Sequence, residues 1–191
     1  MAQRKISCKV LVIGGSAGSL EVLLHILPRL KPPLPFPVVI IVHRKYSEVS
    51  TLATLLSSKT SIKVKEPEDK EDIAAGTVYL APADYHLLVE DSKVFSLDYS
   101  EKVNYSRPSI DVTFETAAEV YRDGVVGVLL SGANSDGVEG LACIKKYKGF
   151  VIVQSPETAQ TSYMPEQAVK SNQFDEVMDM DKMVDFINGL Y

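Results

Sequence analysis

Three residues whose side chains can carry out nucleophilic catalysis each come shortly after a separate apolar run of the sequence. They are Ser16, His43 and Asp136. A serine hydroxyl is a poor nucleophile until an imidazole takes its proton, and a carboxylate fixes the tautomer of that imidazole. If the fold brings these residues together, this combination of residue types predicts acyl transfer or ester hydrolysis.

The apolar runs that precede these residues have the length and composition of strands buried in a sheet. The runs lie at 8–13, 38–42 and 125–130, and helical patterns follow them at 18–29, 47–57 and 137–147. Strands that alternate with helices indicate a mostly parallel sheet. Ligands of such sheets bind at the carboxyl ends of the strands. The sequence therefore predicts that the three residues share one edge of the sheet.

The remaining patterns complete an α/β fold. Short strand candidates lie at 62–65, 77–81, 86–90, 93–97 and 150–154, and helix candidates at 109–122, 165–171 and 181–189. Ser47 and Ser109 are candidate N-caps, and Pro165 suits a first helical position. We predict one domain over residues 1–191, a doubly wound, Rossmann-like, mostly parallel sheet with helices on both faces and a short antiparallel hairpin.

Each of the three residues also has a purely structural interpretation. The stretch around Ser16 matches the G-x-S-x-G pattern of a nucleophile elbow, but it also suits a plain turn between strand and helix. A phosphate cradle is the weaker alternative, because the stretch lacks the P-loop and G-x-G-x-x-G patterns. For His43 the alternative is a structural side chain at the edge of the core, and for Asp136 it is a cap of the helix that follows. Their joint position at one edge favours catalysis.

Composition excludes several classes of function. The formal net charge of −5 provides no basic footprint for nucleic acid. No stretch approaches the ~18 apolar residues that span a bilayer, so we predict no membrane insertion. The two cysteines lack metal-ligand spacing and suit a reducing compartment, which predicts a cytoplasmic protein. We predict neither a metal nor another cofactor.

Several longer blocks resemble the catalytic domain of CheB-type chemotaxis methylesterases, in the order of that family and over nearly the whole chain. They include "VIGGSAGSLEVLLHILPRLK", "VVIIVHRKYSEVSTLATLLSS", "VNYSRPSIDVTFETAA" and "GVVGVLLSGANSDGVEGLACIKKYKGF". The blocks LSGxxxDG and RPSIDV are more distinctive than the serine turn. The resemblance implies hydrolysis of glutamate methyl esters on the cytoplasmic region of chemoreceptors, with deamidation of receptor glutamines as a related activity.

The resemblance also implies roles for individual residues. Ser16 is the nucleophile, His43 the base and Asp136 its partner, and the backbone N–H groups of Ala17 and Ala133 form the oxyanion hole. Arg107 shapes the substrate cleft or meets an acidic receptor surface, and a structural ion pair is the open alternative. Ala17 stands where the family usually has threonine, and Ala133 where it commonly has methionine. Both donors are backbone groups, so these departures affect the expected rate and substrate more than the reaction class.

Family enzymes usually carry an amino-terminal receiver domain, and about seven residues precede the first predicted strand here. We therefore expect an enzyme that acts alone, one that a separate receiver-domain regulator controls, or a piece of a longer protein. A receptor methyltransferase is a further candidate partner. Three other functions stay open: a non-catalytic homologue that binds a receptor or a signalling partner through the same cleft, an esterase or deamidase for other substrates, and a nucleotide-binding protein.

Overall fold

The computed structural model describes residues 6–45 and 51–191. The strands are β1 (Val10–Gly15), β2 (Val38–Val42), β3 (Lys63–Lys65), β4 (Thr77–Leu80), β5 (His86–Val89), β6 (Phe95–Asp98), β7 (Val125–Leu129), β8 (Phe150–Gln154) and β9 (Glu176–Met178). Seven of them form a parallel sheet in the order β3-β4-β2-β1-β7-β8-β9. β5 and β6 form a separate antiparallel pair. The predicted α/β class, with its parallel sheet and short hairpin, is confirmed.

Helices cover both faces of the sheet. The helices are α1 (Ser19–Ile26), α2 (described over Thr51–Ser57), α3 (Ile110–Tyr121), α4 (Val138–Lys146), α5 (Tyr163–Ser171) and α6 (Met180–Asn188). Residues of α1, α2 and α6 are buried with Leu11 and Ile13 of β1, whereas residues of α3, α4, α5 and the β5–β6 pair are buried with Val10 and Val12. Successive side chains of a strand point to opposite faces, which explains this division.

Local differences from the sequence predictions have physical reasons. The predicted helix at 18–29 ends as an α-helix at Ile26, and a 3₁₀ turn that contains Pro28 follows it. Helix α5 begins at Tyr163, two residues before Pro165. Pro165 still lies in the first turn, where backbone N–H groups have no partner inside the helix, so the missing proline N–H costs no helical hydrogen bond. Strand β9 was not predicted, because it is short and largely exposed at the sheet edge. The candidate cap Ser47 lies outside the described residues.

The order of the strands determines where the residues that follow β1, β2 and β7 lie. β1 lies between β2 and β7, and its last residues pair with Val42 on one side and Leu129 on the other. β2, β4 and β3 extend the sheet to one side of β1, and β7, β8 and β9 extend it to the other. A parallel sheet forms its ligand-binding crevice where the strand order reverses in this way. The residues that follow β1, β2 and β7 therefore meet at the crevice.

Gly14, near the end of β1, allows helix α3 to pack directly against the strand. A Cβ atom at this position would lie 2.4 Å from Ile110 Cγ2 and 3.0 Å from Phe114 Cζ. We expect Gly14→Ala to lower the free energy of unfolding by about 1–3 kcal/mol, since both contacts are buried and helix α3 would have to shift. Urea denaturation measures this loss.

Gly189→Ala is the matched control for this prediction. Gly189 is exposed at the end of α6 with φ −88°, and an added Cβ would meet only backbone oxygens at 3.3 and 3.4 Å. We expect its effect on stability to stay within about 0.5 kcal/mol. Equal losses in the two variants would contradict close packing of α3 on Gly14.

Candidate active site

Ser16 occupies the corner between β1 and α1, and its backbone is held on both sides. Its N–H donates to the carbonyl of Ser131 at 2.9 Å, and its carbonyl accepts from the N–H and the hydroxyl of Ser19 at 3.0 and 2.7 Å. Gly18 then turns the chain into the helix with φ +85°, and a Cβ there would lie 2.6 Å from Ser131 Oγ. The corner therefore fixes Ser16 at the positive end of α1.

His43 and Asp136 form a hydrogen bond at the same edge. His43 Nε2 lies 2.6 Å from Asp136 Oδ2, and their side chains are 12% and 0% exposed. Because an ionised carboxylate can only accept, Nε2 carries the hydrogen of this bond and Nδ1 is the nitrogen left to act as a base. Ser16 and His43 both line one cavity of about 430 Å³. Among the described residues, no hydrogen bond yet joins the Ser16 hydroxyl to the ring, which is common before substrate binds.

Asp136 is buried, yet its environment keeps it ionised. Besides His43, the carboxylate accepts hydrogen bonds from the Ser109 hydroxyl at 2.8 Å, the Asn104 amide at 3.0 Å, and the backbone N–H groups of Ile110 and Asp111 at 2.7 and 3.2 Å. Burial alone would raise the pKa of Asp136, but these donors outweigh it and lower the pKa to about 2. The carboxylate can therefore stabilise a positive charge on His43.

These contacts correct two structural expectations. Asp136 does not cap the helix that follows it, since α4 begins after Gly137 and the carboxylate instead accepts from the first turn of α3. Ser109 precedes α3 but makes no side-chain cap, because its hydroxyl donates to Asp136. A carboxylate from a distant part of the chain thus takes the place of a local cap.

A second buried carboxylate, Asp111, lies beside the first and was missed by the sequence reasoning. Its Oδ1 accepts from the Gly140 N–H and its Oδ2 from the Asn104 amide, both at 2.7 Å. Burial raises the pKa of Asp111, the Gly140 bond lowers it and the charge of Asp136 raises it again, to about 7. The polar residues clustered before and at the start of α3 were the available signal.

The raised pKa of Asp111 makes stability depend on pH. The folded protein keeps a proton on Asp111 that the unfolded chain releases, so stability falls as pH rises from about 4 to about 7 and levels off above. We expect Asp111→Asn, which cannot ionise, to lose this contribution. The free energy of unfolding of the native chain minus that of the variant should fall by about 2–4 kcal/mol across this range.

Urea denaturation of both proteins from pH 4 to pH 8 measures this difference. The other charged groups near Asp111 are Asp136 and Glu115, and both are present in the native chain and in the variant. Their own titration therefore largely cancels in the comparison. A difference that stays constant over the range would show that Asp111 is ionised throughout.

The predicted oxyanion donors are placed at two loops of the same edge. Ala17 directly follows Ser16 and lines the cavity beside it, and its carbonyl accepts from the Ser131 hydroxyl at 2.8 Å. Ala133 is exposed in the loop between β7 and α4. Within residues 6–45 and 51–191, neither the Ala17 nor the Ala133 N–H donates a hydrogen bond. Both donors are therefore available to a ligand.

Two cavities of different character meet at His43, Arg44 and Lys45, which line both of them. The one beside Ser16 is mainly apolar, with leucines of α1 and α2 in its walls: Leu20, Leu23, Leu52 and Leu55. The other, of about 450 Å³, has four cationic side chains in its walls: Arg44, Lys45, Lys102 and Arg107. An ester placed on Ser16 would therefore lie between an apolar and a basic surface.

Arg107 lines the basic cavity and is also tied into the protein. Its guanidinium donates to Asp84 at 2.7 Å and to the carbonyl of Ser100 at 2.6 Å, and it stacks on the ring of Tyr99 at 3.8 Å. The ion pair that the alternative interpretation of this residue predicted is present, and it fixes the side chain in the wall of the basic cavity. Its contact with a substrate stays a prediction.

The structure offers little for other kinds of site. His86 is buried and accepts from the Ser109 N–H while donating to the Glu101 carbonyl, so both ring nitrogens are used inside the protein. Across the part of the chain that the structure describes, no group of three or more His, Cys, Asp or Glu side chains is placed to hold a metal ion. In the same residues, every helix is too short or too polar to cross a membrane.

The chain is similar to known proteins over nearly its whole length. Residues 11–187 match the family model of CheB methylesterase. A protein of Leptospira interrogans is 45% identical over 177 residues, which are 93% of this chain and 92% of that protein. A Thermotoga maritima protein named protein-glutamate methylesterase/protein-glutamine glutaminase is 38% identical, and the match covers 91% of this chain and 51% of that protein. The crystal structure of the Thermotoga maritima CheB methylesterase catalytic domain superposes with a TM-score of 0.91 at 36% identity, covering 97% of this chain and all of that one.

Proposed function

Since the chain belongs to the CheB methylesterase family, we propose that it is a carboxylic ester hydrolase that removes methyl groups from glutamate side chains of chemoreceptors. The names of its relatives support this activity and suggest deamidation of receptor glutamines as a second one. The observation that carries the proposal is the 2.6 Å bond between His43 and the buried Asp136, beside Ser16. The two free cysteines, Cys8 and Cys143, suit action in the reducing cytoplasm.

The reaction begins with attack of Ser16 Oγ on the carbonyl carbon of the glutamyl ester. As the new C–O bond forms, His43 Nδ1 takes the hydroxyl proton, and Asp136 stabilises the imidazolium through Nε2. The carbonyl oxygen becomes an oxyanion that the N–H groups of Ala17 and Ala133 stabilise, helped by the positive end of α1. Each such donor typically contributes about 10²–10³-fold to the rate.

Two further steps complete the cycle. The C–O bond to the methoxy group breaks, and His43 returns its proton so that methanol leaves. A water molecule then attacks the acyl-enzyme, again with His43 as the base, and the product glutamate leaves while Ser16 recovers its proton. A glutamine side chain follows the same steps with ammonia as the leaving group.

Methanol release from a methyl-esterified chemoreceptor fragment tests the proposal. The native chain should release methanol from this fragment faster than from a small methyl ester of equal concentration, and ammonia from a fragment that carries glutamine at the same sites. A faster reaction with the small ester would point to a different substrate. Receptor binding without methanol release would point to a non-catalytic homologue.

A further inference from the structure

A tight turn at 103–106 lies between the substrate cleft and the buried carboxylates. Val103 and Ser106 pair across it through hydrogen bonds of 3.2 and 2.9 Å, and the two central residues, Asn104 and Tyr105, have φ of +50° and +62°. Asparagine tolerates this left-handed backbone, but tyrosine disfavours it. A strained backbone of this kind persists only where surrounding contacts hold it.

The two central side chains have opposite roles. Tyr105 is 98% exposed and lines the basic cavity next to His43. Asn104 directs its amide nitrogen inward, 3.0 Å from Asp136 Oδ1 and 2.7 Å from Asp111 Oδ2. The turn thus connects the surface that a substrate would touch with the carboxylate that orients His43.

An amide nitrogen suits this position because it has two hydrogens, one for each carboxylate. Asp136 has other donors, but Oδ2 of Asp111 accepts only from Asn104 among the described residues. In that same part of the chain, no other side chain donates to both carboxylates. Without the amide, the two carboxyl groups would lose the one side chain that donates to both among the described residues, and Asp136 would lose one of the five groups that hold its orientation.

We propose that Asn104 is a positioning residue that holds Asp136, and through it the His43 ring, in the orientation that activates Ser16. This inference rests on the proposed function, since it assumes that Ser16 is the nucleophile of the reaction. Asn104 itself touches none of the reacting atoms.

Reaction of Ser16 with a fluorophosphonate probe tests the role without the natural substrate. Ser16 Oγ attacks phosphorus, fluoride leaves and His43 takes the hydroxyl proton, so the labelling rate reports activation of the serine alone. Asn104→Gly removes the amide and retains a residue that accepts the left-handed backbone. We expect labelling about 10- to 100-fold slower than in the native chain.

Two further variants separate positioning from a general effect on folding. Asn172→Gly is the matched control, because Asn172 also has a left-handed backbone, φ +55°, at the end of α5 away from the site. It should label at the native rate. In the Asp136→Asn background, adding Asn104→Gly should have no further effect, since a residue that acts through Asp136 loses its influence when the carboxylate is gone.

Each outcome decides the matter. Native-rate labelling of Asn104→Gly, or an equal slowing in both backgrounds, would overturn the positioning role, as would failure of the native chain to label at Ser16. If labelling behaves as expected but no methanol is released from the receptor fragment, the proposed substrate fails and the role of Asn104 stands. If Asn104→Gly does not fold, Asn104→Ser, which retains one hydroxyl donor, takes its place with a smaller expected slowing.

Discussion

The Ser16→Ala variant is expected to release methanol from a methyl-esterified receptor fragment at least about 10⁴-fold more slowly than the native chain. In the proposed mechanism the other groups of the site act on the Ser16 hydroxyl: His43 takes its proton, and Ala17 and Ala133 stabilise the oxyanion that its attack creates. Without the hydroxyl no acyl-enzyme forms, and what remains is binding and the oxyanion donors. Initial rates with enzyme in excess of substrate measure the residual activity.

Ser171→Ala is the matched control for this variant. The Ser171 hydroxyl donates to a backbone carbonyl at the end of α5, outside the site, so its removal should leave methanol release unchanged. The Ser16→Ala variant should also have a melting temperature close to that of the native chain, because within the described residues the Ser16 hydroxyl makes no hydrogen bond that the substitution would remove. Substantial activity in Ser16→Ala would mean that water, activated by His43, attacks the ester directly.

The Asp136→Asn variant is expected to lose both activity and stability. All five donors around Asp136 point at oxygen atoms, so an amide must place its own N–H groups against at least two of them. If the amide nitrogen faces His43, the ring must accept at Nε2 and carry its hydrogen on Nδ1, where it can no longer take the Ser16 proton. We expect kcat to fall by about 10⁴-fold and the free energy of unfolding by about 2–5 kcal/mol.

The stability loss has its own pH signature. The lowered pKa of Asp136 stabilises the fold fully above about pH 4, and this contribution is lost as pH falls toward 2. The difference in unfolding free energy between the native chain and Asp136→Asn should therefore shrink over that range, which urea denaturation at several pH values measures. A difference independent of pH would mean that the native carboxylate is not stabilised in its ionised form.

Asp175→Asn separates the loss of activity from the loss of stability. Asp175 also accepts a backbone N–H, from Val151 of β8, and pairs with Lys145, but it directly precedes β9 and does not line the cavity beside Ser16. We expect it to lower stability and to leave kcat unchanged at a temperature where the protein is folded. Equal losses of kcat in the two variants would argue that Asp136 acts only through the fold.

The sequence predicted the main elements because most of them leave strong local signals. The run at 38–42 is apolar throughout and directly follows a proline, and the strand observed there has the same limits. Strand β9 was not predicted because it has only three residues, two of them exposed, and so shows no hydrophobic alternation along the sequence. The described helix ends differ from the predicted ones by at most three residues, as expected where caps and 3₁₀ turns decide the boundary.

The sequence also predicted that Ser16, His43 and Asp136 lie at one edge of the sheet. It did not predict the hydrogen bonds among the residues there. Residues that follow parallel strands must meet at one edge, so the proximity of Ser16, His43 and Asp136 needed only the strand order. Which nitrogen of His43 meets Asp136 depends on the rotation of the ring, and no pattern in the chain encodes that rotation. Asn104 and Asp111 lie on a turn and a helix whose contact with Asp136 exists only once α3 packs on β1.

The sequence by itself thus determined the class of fold, the edge of the sheet that the candidate residues share and the types of side chain available there. Those properties depend on hydrophobic periodicity and chain order, which are local and repeat along the chain. Only the tertiary structure decided that Asp136 stays ionised while it is buried, and that a second carboxylate and one asparagine amide lie against it. These depend on donors from three separate segments converging on one carboxylate, and such convergence is a property of packing in three dimensions.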